Sequence, residues 1–143
     1  MERTGSRANL MHLVLALVDL ELTAVTAYLH FSLGGQLFTL NAQGYVALAA
    51  TYGVAVLVPF PIVTRFAWLP RLGLAGYTLG TIGAYLWIGP YFSTGWIAKG
   101  VEVAIVALLL ADLAGTYGSM RGLWRAIMGS LPFAGQRDGP RAA

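Results

Sequence analysis

Residues 13–31 read LVLALVDLELTAVTAYLHF, an apolar run of helical length that carries two carboxylates, Asp19 and Glu21. About 20 apolar residues cross a bilayer, so the run predicts a membrane-spanning helix with acids at membrane depth. The two acids are two positions apart, which on an α-helix turns them about 200° away from each other. If one faces a bundle interior, the other faces lipid or another protein. An acid facing lipid costs on the order of 2.5–3.5 kcal/mol on insertion scales, so helix one is expected to have polar contacts on two sides.

Working outward, the chain of 143 residues is 57% hydrophobic and 10% charged, with a mean hydropathy of +0.68. Soluble domains average about 25% charged residues. That deficit places the chain among integral membrane proteins. The net charge of +3 is no nucleic-acid signature, because the basic residues form neither a stripe nor an aromatic-interleaved patch. The absence of cysteine rules out disulfides, thiolate metal sites and a cysteine nucleophile. The start, MERTGSR before an apolar run, looks like a signal peptide, but a charge-free core is required there. Asp19 and Glu21 argue for a retained helix.

Four segments are long and apolar enough to span: about 8–33, 42–63, 69–88 and 96–117. Asn41 is an N-cap candidate for the second, Pro59 and Pro61 mark its end, and Gly89-Pro90 closes the third. Short connections predict an all-α, up-down four-helix membrane bundle forming one domain, 1–143. Arg3, Arg7, Arg65, Arg71, Arg121, Arg125, Arg137 and Arg141 cluster at the termini and at the connection between the second and third segments. The positive-inside rule then puts both termini in the cytoplasm, with the inner membrane of a bacterium as the expected location. In the tail, 118–143, Leu123, Trp124, Ile127 and Met128 share one face against Arg121 and Arg125. This predicts a short interfacial helix, followed by a disordered GQRDGPRAA.

Several faces carry candidate chemistry. His12, Asp19, Thr23, Thr26 and His30 fall on one stripe of helix one. The stripe is either a hydrogen-bonded face with interfacial histidines or a polar path with Asp19 as a proton or cation site. Glu21 stands on the opposite, apolar face. In the fourth segment Lys99 and Glu102 are one turn apart and can pair. Glu21, Lys99 and Glu102 lie at comparable depth and can instead form one buried network. Asp112 lies nearer the cytoplasmic end, within reach of Arg121 or Arg125. Gly73, Gly76, Gly80 and Gly83 make a small-residue face suited to close helix packing. The two histidines sit roughly 27 Å apart along the helix. That leaves no bis-histidine haem site and no histidine-rich metal site, so no cofactor or metal is expected. No nucleotide loop, HExxH or GxSxG motif is present, and no enzymatic activity is expected.

The strings LFTLNAQGYVALAATYGV (37–54), RLGLAGYTLGTIGAYLW (71–87) and STGWIAKGVEVAIVALLLAD (93–112) resemble small four-helix bacterial membrane proteins without an assigned activity. The resemblance covers most of the chain and implies fold and topology alone. It does not extend to small multidrug exporters, which carry one membrane-embedded glutamate in helix one. Two functions are compatible with the sequence. One is a non-enzymatic membrane subunit or accessory protein, with lipid and either other membrane subunits or further copies of itself as partners. The other is a small oligomeric proton- or ion-coupled transporter or channel protomer built on the intramembrane carboxylates.

Overall fold

The structure, a computed structural model, describes residues 3–132, and side-chain surroundings from Leu10 onward. The expected disordered tail, with Arg137 and Arg141, lies outside the described residues, as do the surroundings of Arg3 and Arg7. The described chain is helical, with no strand: α1 Arg3–Leu33, α2 Gln36–Leu57, α3 Pro61–Arg65, α4 Trp68–Ile88, α5 Ser93–Tyr117 and α6 Met120–Ser130. Two helices contain stretches long and apolar enough to cross a membrane, Leu10–Leu33 and Gln36–Leu57.

Turn chemistry sets the boundaries. Gly34 and Gly35 both adopt positive φ, 68° and 83°, a region open to glycine at little cost. They reverse the chain within two residues, so α2 restarts at Gln36. The second segment therefore begins six positions before the expected 42 and ends at Leu57 rather than 63. Asn41 is not its N-cap. Gly35 is, and Asn41 lies inside the helix, where its Oδ1 accepts from Tyr77 Oη at 2.8 Å. The far end stops early because proline disfavours helix in the residue before it. Val58, preceding Pro59, is extended at φ −108° and ψ 106°. Pro61 then starts α3 at a first-turn position that needs no N–H. Gly118 turns the chain at φ 69° after α5, and Ser119 caps α6, its Oγ accepting from the Gly122 N–H at 3.1 Å.

The four long helices pack in a ring: α1 against α2 and α5, and α4 against α5 and α2. Ala16, Ala27, Tyr45, Tyr52, Leu74, Ala75, Ile105 and Leu109 form the apolar part of the interior. The rest of the interior is polar: Asp19, Thr23, Thr26, His30, Arg71, Thr78, Lys99, Glu102 and Asp112 are all buried. Large apolar side chains lie outside instead, among them Leu10, Val18, Val46, Leu79, Trp87, Ile97 and Leu110. Helix α6 docks on α4 and α5 through buried Leu123 and a 3.1 Å bond from Trp68 Nε1 to Ser130 Oγ. Trp124, Met128, Arg121 and Arg125 stay exposed.

The glycine stripe of α4 is not the expected packing face. A β-carbon at Gly73 would touch Leu48, but one at Gly76, Gly80 or Gly83 would meet no atom within 4 Å. Close approach is needed elsewhere, at isolated glycines beneath rings. A β-carbon at Gly44 would collide with Tyr77, one at Gly95 with Tyr85 and one at Gly115 with His12. Rings take the space that helix backbones would otherwise share.

Candidate functional site: two buried charge clusters

The stripe of α1 faces inward. Asp19, Thr23, Thr26 and His30 are at most 3% exposed, while Glu21 points out to the surface. The inward stripe meets α5, whose two internal carboxylates each organise a cluster. Ten positions separate Glu102 from Asp112, about 15 Å along the helix.

At the end of the bundle nearer α6, Asp112 is held by four side chains. Arg71 Nε donates to Oδ2 at 2.7 Å, and Tyr52 Oη donates to the same oxygen at 3.3 Å. Oδ1 lies 3.3 Å from His12 Nδ1 and 3.4 Å from Thr116 Oγ1. Arg71 also donates from Nη1 to the Ala67 carbonyl at 2.8 Å and lies over the Tyr52 ring at 5.6 Å. The partner of Asp112 is thus Arg71, and not Arg121 or Arg125 of exposed α6. A one-sided apolar helix α4 turns its first-turn arginine inward because α5 offers a buried acid there.

At the other end, Lys99 Nζ is 2.5 Å from Glu102 Oε2. Thr81 Oγ1 donates to the same oxygen at 2.9 Å, and Tyr45 Oη reaches Thr81 at 2.8 Å, giving a chain Tyr45–Thr81–Glu102. Lys99 also lies 5.4 Å from the Tyr85 ring centroid. His30 Nδ1 is 2.8 Å from the Thr26 carbonyl, so that nitrogen carries the proton. Its Nε2 is left facing Glu102 Oε1 at 3.6 Å.

Between the clusters along α1 lies Asp19, buried at 1% exposure. Neither of its carboxyl oxygens has a hydrogen-bond partner among the described residues, nor do Thr26 Oγ1 and Glu102 Oε1. The Thr23 hydroxyl is spent on the Asp19 carbonyl at 2.8 Å. Buried polar atoms are paired in the great majority of cases, so this row of orphans is the chemical anomaly of the interior.

The structure therefore brings His30, Lys99 and Glu102 together and sets His12 with Asp112. It leaves Glu21 out: the Glu21–Lys99–Glu102 network does not form, because α5 covers the Asp19 face of α1 and not the Glu21 face. Among the described residues no group of three or more potential ligands converges on a metal position. Comparison with protein-family models, with curated proteins and with solved structures gave no match. Sequence reasoning missed Arg71, Tyr52, Tyr45 and Thr81 as cluster members. The available signal was Arg71 itself, written into the first turn of an apolar helix rather than before it.

Proposed function

We propose that the chain is a four-span protein of a bacterial cytoplasmic membrane, both termini inside, acting as a non-enzymatic subunit or accessory protein that packs against other membrane proteins. Support for the spans comes from the inverted distribution of polarity. Only 28% and 17% of the apolar windows of α1 and α2 are buried, whereas a soluble core helix would be mostly covered. α4 and α5 lie alongside these helices, with 21 and 25 residues each, about 32 and 38 Å long. The orientation follows the arginines at the α6 end, with α6 lying along the inner leaflet.

The observation that carries the partner reading is Glu21. It is exposed in the middle of an outward apolar face formed by Val14, Leu17, Val18, Val25 and Tyr28. A carboxyl group there meets hydrocarbon unless a neighbouring protein covers it. Photo-crosslinking from position 25, on the same face, tests this in native membranes. A discrete protein adduct that disappears with Glu21→Leu supports the reading. Adducts to lipid alone, from a protein that purifies as a stable monomer, sink it.

A second reading has its own observation, the orphan oxygens of Asp19, Thr26 and Glu102. They mark a line on which a proton or small cation would find the acceptors that the protein leaves unused. In liposomes carrying a pH-sensitive dye, this reading expects flux above that of empty vesicles and its loss in Asp19→Asn. Flux equal to that of empty vesicles removes it.

A further inference from the structure

A cleft of about 630 Å³ opens at the end of the bundle away from α6, between α2, α4 and the start of α5. Its volume falls within the range of about 300–1,000 Å³ typical of small-molecule sites. One wall is Leu37 and Leu40 of α2, exposed at 74% and 56%. The facing wall is Gly76 and Gly80 of α4, where the missing side chains leave the space unfilled. The cleft is open along the flank of the bundle, which on the membrane reading proposed above faces hydrocarbon, and is lined mainly by carbon.

Its inner end is different. Lys99 and His30 both line it, and they are 7% and 3% exposed. Lys99 has Glu102 as its acceptor among the described residues, but an ammonium carries more N–H donors than one carboxylate oxygen satisfies. A buried, charged donor with unused N–H groups costs free energy until an acceptor arrives. The site thus pairs an apolar slot reachable from the bilayer with an inner cationic donor short of an acceptor.

We propose that this cleft binds one long-chain amphiphile, its acyl chain lying along Gly76 and Gly80 and its carboxylate or carbonyl oxygen accepting from Lys99. The glycines of α4 make room for the chain, which is why no helix packs on them. Lys99 and Glu102 together are close to neutral, so the head is read by a hydrogen-bond-accepting oxygen, which a free fatty acid and a neutral acyl ester both supply. Glu21 does not line the cleft, so the proposal rests on the membrane reading but not on what covers the outward face of α1.

The test uses the full-length protein in phosphatidylcholine nanodiscs, titrated with the fluorescent fatty acid cis-parinaric acid and challenged with stearic acid or methyl stearate. Saturable binding to the protein is expected, weakened by about tenfold or more when a leucine side chain fills the slot in Gly80→Leu. Gly76→Leu fills the same slot from the next turn and serves where Gly80→Leu fails to fold, with thermal unfolding as the check on both. Displacement by stearic acid alone shows that the head is an anion. Displacement by both shows that a carbonyl oxygen suffices. Non-saturable binding, or folded leucine variants that bind like the parent, overturns the proposal.

Discussion

The two carboxylates of α5 sit in opposite circumstances. Asp112 has both oxygens engaged, by an arginine, a tyrosine, a histidine and a threonine drawn from all four long helices. Glu102 is as deeply buried, yet one of its oxygens has no partner, and its lysine borders an open cleft. The Asp112 end is a closed ionic knot that fixes helix positions. The Glu102 end has capacity left over. Burial alone does not distinguish a structural charge from one available for chemistry, whereas the count of satisfied atoms does.

The sharpest way to break the comparison is Asp112→Ala. It strands Arg71 inside the bundle, and removing one member of a buried pair costs about 3–5 kcal/mol. Denaturant unfolding in detergent micelles should show the loss. A fall of less than half that size would mean that Arg71 escapes to water and that the knot is not closed. Lys99→Met removes the matching cation at the other end. Glu102 then keeps Thr81, so the expected cost is smaller, about 2–3 kcal/mol. Adding Glu102→Met to that variant should recover most of it, since an apolar pair of similar volume replaces a buried ion pair at little net cost. A double variant no more stable than the single would show that Thr81 and Tyr45 depend on the carboxylate for their own order.

Glycines give the finest contrast. Gly115→Ala pushes on the His12 ring beside Asp112 and is expected to cost about 1–2 kcal/mol by overpacking. Gly80→Ala, at the open end, adds a β-carbon in empty space and should stabilise by about 0.5–1 kcal/mol through helix propensity. Thermal unfolding of the two variants side by side reads the sign. Equal effects would mean that the two ends are packed alike.

Much of the architecture is legible from hydropathy and punctuation. Leu33 ends α1, Gly89-Pro90 closes α4, and the one-turn spacing of Lys99 and Glu102 gives their pair. What escaped the sequence is long-range. Arg71 and Asp112 are 41 positions apart, and nothing local says that α4 and α5 meet in that register. The double glycine at 34–35 is visible, but its positive φ values, not its composition, convert a presumed loop into a two-residue turn and move α2 by six positions. The glycine stripe of α4 misleads because regular spacing resembles a packing motif. The glycines that permit close approach, Gly44, Gly95 and Gly115, have no spacing pattern, since each answers a ring on another part of the fold.

The Arg71–Asp112 and Lys99–Glu102 pairs share a further property. All four charges belong to α4 and α5, two cations against two anions. The α4–α5 hairpin is therefore electrically self-contained, its two cations matched by its two anions without help from the rest of the chain. The first half, made earlier, brings His12, Asp19 and His30 without any permanent cation of its own between residues 10 and 57. Asp19 is thus a buried acid that no cation answers, since both cations of the later hairpin are already engaged by Asp112 and Glu102.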